Sequence, residues 1–288
     1  MVGVVDPRVR EAVDRLTDAQ VFETLRLAQL AWPRIPTAAE IAEACGRAPD
    51  PWQRQLYETD ANRVILNCSR RSGKSTSAAI LALRYALAHP NAMVLFAAGQ
   101  NIDQAQETLG RAKLAFRLAM LEERVERDSD RRFVLGNGSR LLCVAATASS
   151  VRGYDGDFVV VDEAAYAEED FFEALFPILA TNPGARIILL STPHTRRGQF
   201  WSIWEQAPAW EEGIPAADQP YAWLKVEVPW QLCPRIPEEF VANERRERGP
   251  LYVAREFECQ FSDEDFAAYP PEQVEAILQP GIGQWRVF

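Results

Sequence analysis

The sequence has no C-x-x-C pair; its five cysteines, Cys45, Cys68, Cys143, Cys233 and Cys259, are widely spaced. That spacing excludes a small disulfide framework or a zinc site of paired cysteines and fits reduced thiols. No apolar run approaches the roughly 18 residues that a membrane-spanning helix needs. The opening "MVGVVDPRVR" also lacks the apolar centre of a secretory signal. A cytoplasmic protein without membrane contact is therefore expected. Positive charge is in deficit as well: 31 Lys and Arg stand against 41 Asp and Glu, a net charge of −10. Such a balance excludes a domain that coats nucleic acid with its whole surface, but it leaves room for local basic patches facing a polyanion. Internal repeats and low-complexity tracts are missing too.

What is present is a chain of 288 residues, 48% hydrophobic and 25% charged. That is enough for one large α/β domain, or a core with a smaller subdomain, without metal or disulfide staples. Residues 1–50 read as helices, among them "TAAEIAEA", which opens with a capping-box pattern from Thr37 to Glu40. "GRAPDPW" then breaks the pattern. From residue 51 short apolar runs alternate with helical patterns. The runs are "RVILN" (63–67), "AMVLFAA" (92–98), "SRLLCVAA" (139–146), "DFVVVDE" (157–163) and "ARIILLST" (185–192). Helical patterns fill 74–89, 101–125 and 168–181. Near-continuous apolar strands between helices predict a mostly parallel sheet covered on both faces. "RRFVLGNGSR" (131–140) predicts a hairpin turning at Gly136-Asn137-Gly138. From about residue 205 the pattern loosens, and "PEEFVANERRERGPLYVAREFECQF" returns to helix.

Two stretches carry the chemistry. "CSRRSGKST" (68–76) ends like a phosphate-binding loop, between the strand "VILN" and a long helix, but has a cysteine at the usual first glycine. Backbone amides at the helix start favour a phosphate there. Lys74 would reach the β- and γ-phosphates and the Ser75 hydroxyl would ligate Mg²⁺, with Ser72, Gly73 and Thr76 completing the loop. A residue with a Cβ is poor at positive φ, so Cys68 predicts a different geometry at the loop start. Arg70 is expected to lie against the phosphate chain, and Arg71 to turn away towards an acidic partner. The second stretch, "FVVVDEAAY", puts Asp162 and Glu163 at the carboxyl end of a buried strand, the edge where open α/β sheets bind ligands. Asp162 would hold Mg²⁺ through its water shell, and Glu163 would take a proton from, or orient, the attacking water.

In order along the chain, five stretches resemble the ATPase domain of the large terminase subunit, the DNA-packaging motor of tailed phages. "PWQRQLY" looks like its adenine-reading glutamine segment, which would make Gln53 the reader. "CSRRSGKST" resembles its arginine-bearing Walker A loop. "FAAGQNIDQAQETLGRAK" is similar to the segment after its second strand. "VRGYDGDFVVVDEAAY" resembles the run into its Walker B strand and catalytic glutamate. "ILLSTPHTRRGQFWSIW" looks like its coupling segment. The likeness covers roughly residues 51–262.

This resemblance implies an α/β P-loop NTPase of the RecA/ASCE-like type, with a mostly parallel sheet flanked by helices. Together with the helical reading of 1–50, which carries no motif of the family, this gives an N-terminal extension (1–50), an ATPase core (51–204), a small lid subdomain (205–262) and a tail (263–288). Also implied are ATP and Mg²⁺, Arg152 as a finger reaching a neighbouring subunit's γ-phosphate, and Ser191 and Thr192 as coupling residues. The implied partners are double-stranded DNA, a portal protein, a small terminase subunit and a homo-oligomeric ring, a pentamer, in the cytoplasm of an infected or lysogenic bacterial host. Arg196 and Arg197 in "HTRRGQFW", and Arg245 and Arg246 in "NERRERG", are the candidate DNA contacts, with Phe200 or Trp201 packing on sugar or base. A complete large terminase carries a further nuclease domain with two metals. Asp263, Glu264 and Asp265 follow one another too closely to build that site, so DNA cleavage is not expected. A helicase-like ATPase and a nucleotide-gated adaptor remain the alternatives. The first would need a second RecA-like domain, and the second would be favoured by a missing catalytic acid, whereas Glu163 is present.

Overall fold

The computed structural model describes residues 34–262, apart from 47, 122, 124, 181, 183 and 208–221. The helices expected over 1–33 and the tail 263–288 lie outside the described residues. One compact unit begins at Thr37.

Its frame is an eight-stranded sheet in the order β3-β4-β5-β2-β6-β7-β1-β8. The strands are β1 (Arg63–Cys68), β2 (Met93–Ala98), β3 (Val125–Ser129), β4 (Arg132–Leu135), β5 (Arg140–Cys143), β6 (Phe158–Asp162), β7 (Arg186–Ser191) and β8 (Trp223–Val228). From β5 to β8 every neighbouring pair is parallel, whereas β3 and β4 add an antiparallel edge. The expected hairpin at 136–138 is the β4–β5 connection. All five apolar runs read from the sequence are strands, because parallel strands covered on both faces need apolar residues at nearly every position.

Successive side chains of each strand enter opposite layers. Val64, Leu66, Val94, Phe96, Phe158, Val160, Ile188 and Leu190 face one layer. That layer is covered by α1 (Ala38–Ala44), α2 (Pro51–Glu58), α3 (Lys74–Ala88) and α4 (Ile102–Leu118). Ile65, Leu95, Val159, Val161, Ile187 and Leu189 face the other, covered by α5 (Ala148–Val151), α6 (Glu169–Leu175) and α7 (Gly198–Gln206). The capping box at Thr37 is present, with Glu40 N–H donating to Thr37 Oγ1 at 3.2 Å and Thr37 N–H to Glu40 Oε2 at 2.7 Å.

Several elements differ from expectation. β8 was hidden in the looser segment after 205: its alternation, Leu224, Val226 and Val228 inward and Lys225 and Glu227 outward, is that of an edge strand with one half-open face. β3 is exposed throughout and carries no hydrophobic signal; it exists because β4 offers it an edge. α4 stops at Leu118, short of the expected 125, and Met120 just beyond it takes a left-handed φ of 48°. The expected C-terminal helix is two, α8 (Glu238–Arg248) and α9 (Pro250–Glu256), separated by Gly249 at φ 87°. Proline at the first position of α9 fits there because that N–H has no partner in any helix.

Candidate active site

The loop after β1 is shaped by two left-handed residues, Arg71 at φ 60° and Gly73 at φ 95°. Cys68 is not one of them: it is the last, fully buried residue of β1, so the missing glycine costs no strain. Burial pushes its thiol up to about 12, so Cys68 stays neutral and behaves as a small apolar residue. A Cβ on Gly73 would meet Gln53 Nε2 at 3.0 Å and Arg235 Nη2 at 3.4 Å, so glycine is required by both conformation and space. The first-turn amides of α3 follow at once, and the dipole of this 15-residue helix points its positive end at the loop.

Two strands away, β6 delivers Asp162 and Glu163 to the same carboxyl edge, with β7 between β6 and β1. Glu163 is held at φ 48°, ψ 43°, a costly backbone for a residue with a Cβ and one that concentrates at functional sites. Its carboxylate lies between two donors of the cluster: Lys74 Nζ is 3.6 Å from Oε1, and Ser191 Oγ donates to Oε2 at 3.1 Å. Asp162 is nearly buried; Oδ1 accepts from Glu163 N–H and Oδ2 from Thr108 Oγ1, each at 3.0 Å. The Thr108 hydroxyl also faces Gln104 O at 3.1 Å, so its single proton serves one acceptor at a time. Thr192 is buried one residue past β7.

Gly99 lets the Glu163 turn close. Its N–H donates to Asp162 O at 2.8 Å, and a Cβ there would sit 2.2 Å from Glu163 O and 2.7 Å from Ala167 N. Both obstacles are backbone, so Gly99→Ala must displace the Glu163 turn. We expect a loss of about 1–3 kcal/mol of stability together with reduced turnover, read by thermal melting and an ATPase assay. An unchanged melting point with unchanged turnover would contradict this packing.

Beside these groups is a cavity of about 810 Å³, within the range of small-ligand sites. One wall is cationic, with Arg71, Lys74, Arg111 and Arg235, and the other is apolar, with Ile236, Pro237, Phe240 and Phe257; Gly73, Ser75 and Thr76 form its floor. Arg235 is fixed by a two-pronged pair with Asp50, Nη1 to Oδ1 at 2.9 Å and Nη2 to Oδ2 at 2.7 Å. Its Nη2 also donates to Ser72 O at 2.8 Å. The segment before α8 is thereby tied to the phosphate loop. Arg235, Arg111, Thr108 and Gly99 had no signal in the sequence that singled them out.

The structure reverses the expected roles of the two loop arginines. Arg70 turns to Glu256 of α9 through Nε, and its N–H donates to Glu256 O at 2.7 Å. Glu256 is 1% exposed and is also bound by Arg255 Nε at 3.0 Å. A carboxylate this deeply buried needs cationic partners, and Arg70 supplies one while staying within electrostatic reach of Glu163. Arg71, expected to face an acidic partner, lines the cavity instead.

Gln53 is buried behind the loop: Oε1 accepts from Asp50 N–H at 2.8 Å and Nε2 donates to Ser77 Oγ at 2.9 Å. It is absent from the cavity wall, where an adenine reader was expected. Arg152 is exposed at the end of α5, in the β5–β6 crossover, with no acceptor among the described residues. Among the described residues Arg152 makes no contact with Lys74 or Glu163.

Among the DNA candidates, Arg197 is exposed at the start of α7, and Arg196 lies 5.7 Å over the Trp201 ring. Arg245 is paired with Glu258, and Arg246 donates to Asn243 Oδ1 at 3.0 Å. Phe200 is buried and cannot stack on a base, which corrects that expectation; Trp201 packs edge-on against Phe261 at 4.6 Å. No helix among the described residues is long and apolar enough to cross a membrane.

Comparison with known proteins bears on the whole arrangement. Residues 65–278 match the family model described as terminase large subunit, T4likevirus-type, N-terminal. The large terminase subunit of Escherichia phage T5 is 28% identical over 236 residues, covering 80% of this chain and 51% of that protein. The chain thus spans about half the length of this curated relative. The large terminase ATPase domain of Thermus phage P74-26 superposes with a TM-score of 0.65 at 24% identity, over 79% of this chain and all of that one. The large terminase of the thermophilic bacteriophage D6E in complex with ADP gives 0.55 at 13% identity, over 79% and 54% of the two chains. These likenesses establish the P-loop-type α/β fold. The family match spans well over half of the sequence, and the chain belongs to the large terminase subunits, of which it carries the N-terminal ATPase domain.

Proposed function

We propose that this domain hydrolyses ATP to drive double-stranded DNA into a procapsid. The observation that carries the reading is the poised Glu163 carboxylate, strained at its backbone and flanked by Lys74 at 3.6 Å and Ser191 at 3.1 Å, beside an open cationic cavity. ATP enters that cavity with its phosphates on the Gly73–Thr76 amides and Lys74. The apolar wall around Phe240 takes the base. Lys74 moving onto a phosphate frees Glu163 Oε1 to orient and deprotonate the attacking water. Ser75 and Asp162 are the hard oxygen donors for Mg²⁺, which usually takes one or two protein ligands plus phosphate oxygens; bound there, it neutralises developing charge.

Arg152 completes the site of a neighbouring subunit in a homo-oligomeric ring, a pentamer by resemblance, that works with a portal protein and a small terminase subunit. The lid, expected over 205–262, is narrowed to 229–262, because β8 belongs to the core sheet. The D6E terminase, solved with ADP and with ATP-γ-S, supports nucleotide binding by this fold. Phosphate release from ATP·Mg²⁺, stimulated by duplex DNA, tests the reading; a chain that binds ATP without hydrolysing it would turn it towards a nucleotide-gated adaptor.

The Ser191 contact also suggests how loss of the γ-phosphate is relayed. When Glu163 changes partner, β7 and the buried Thr192 beside it respond first. Thr192→Val is expected to keep ATP hydrolysis within a few fold while abolishing DNA translocation. Equal loss of both activities would count against a coupling role.

A further inference from the structure

A second cavity, of about 890 Å³, opens at the opposite edge of the sheet. Its walls include Asp60, Asn62, Ala92, Asp157 and Arg186, which stand at or just before the first residues of β1, β2, β6 and β7. Nothing in the hydrolysis scheme uses it.

Its lining holds two arginines, Arg84 and Arg186, two aspartates, Asp60 and Asp157, and the aromatic pair Tyr85 and His89. Arg84, on the last turns of α3, lines the cavity and has no hydrogen-bond or ion-pair partner among the described residues. Arg186 lines it too. Its Nη2 donates to Thr59 O at 3.1 Å and Ala61 O at 3.2 Å, whereas its Nε is buried without an acceptor. Burial pulls the Arg186 guanidinium below its usual range; Asp60 and Tyr85 oppose that shift, and the Arg84 charge adds to it least. Two guanidiniums in one cavity repel each other unless an anion joins them.

Asp60 acts on Arg186 through space, but neither acid on the wall forms an ion pair with Arg84 or Arg186 among the described residues. Asp157 is committed elsewhere, accepting from Met93 N–H at 2.7 Å and Asn182 Nδ2 at 2.8 Å, and Asp60 is exposed. On the same wall Tyr85 and His89 stack at 3.9 Å with 19° between their rings, a flat platform for a planar group.

We propose that this cavity binds a small phosphate ester, its phosphate held by Arg84 above the Arg186 charge and its planar part resting on the Tyr85–His89 stack. A doubly charged phosphate matches two guanidiniums better than a carboxylate does, and the volume suits a ligand much larger than a bare ion. The same helix carries Lys74 at its start and Arg84 ten residues on, about 15 Å along its axis. The two sites are therefore separate but share one rigid element.

The test is calorimetric titration of the Lys74→Ala chain, which removes the principal phosphate contact of the ATP site, with phenyl phosphate, inorganic phosphate and acetate. Phenyl phosphate should bind most tightly. Adding Arg84→Gln should weaken it by about tenfold or more, the scale of a charge-assisted contact, with Arg84→Lys recovering part of the loss. Binding that disappears in Lys74→Ala alone, or that survives Arg84→Gln unchanged, would overturn the proposal. Acetate binding as tightly as phenyl phosphate would overturn the phosphate assignment. Arg84→Gln by itself should leave ATP turnover intact.

Discussion

Glu163→Gln is expected to cut ATP turnover by roughly 10²–10⁴-fold, the range of a positioned general base, while ATP still binds. The amide keeps nearly the same shape, so the strained turn at φ 48° and its seat over Gly99 are preserved. An amide oxygen still accepts the Ser191 hydroxyl, now at 3.1 Å from the carboxylate, but it cannot take a proton from water. The ion pair with Lys74 is lost as well. That loss frees Lys74 for phosphate, so ATP affinity should hold or rise. Single-turnover chemistry alongside equilibrium nucleotide binding separates the two effects. A variant that turns over ATP normally would remove Glu163 from the chemistry.

Arg152→Ala should lower turnover by roughly 10³–10⁵-fold under conditions where subunits associate, the effect of a charge supplied to a phosphoryl-transfer transition state. In the isolated chain the same substitution should do almost nothing. The exposed side chain has no acceptor among the described residues, so its removal breaks no contact among them. Mixing offers a sharper version. Arg152→Ala subunits have an intact Glu163, and Glu163→Gln subunits have an intact finger; together they should regain part of the activity that neither has alone. Failure of the mixture to exceed its components would place the arginine's effect within its own subunit.

The layout of the catalytic edge was legible because it rests on short-range signals. An apolar run leading into a glycine-lysine turn and a helix, and another ending in two acids, report strands buried on both faces and what their ends carry. The family resemblance set Ser191 and Thr192 beside the strand that ends in Asp162 and Glu163, and β7 does pair with β6; the order of the remaining strands, which follows from how the sheet assembles, was not legible. Gly99 looks like any strand-end glycine until Glu163 O closes on the space its side chain would fill.

Arg70 and Arg71 were exchanged for a comparable reason. Which of two adjacent arginines lines the cavity depends on the left-handed turn at Arg71 and on Glu256, distant in sequence and desolvated only in the fold. Arg235 and the apolar wall around Phe240 come from a stretch whose edge strand and broken helix gave weak periodicity. They became part of the site only through contact with Asp50 and Ser72.

Completion of the site on the Lys74–Glu163 edge by a second subunit is open to one experiment: steady-state ATPase activity per subunit, followed against protein concentration with and without duplex DNA. Specific activity should climb with concentration, and the climb should vanish in Arg152→Ala. Specific activity that is high and flat from the lowest concentration would contradict it, because every group needed for hydrolysis would then be present in a single chain.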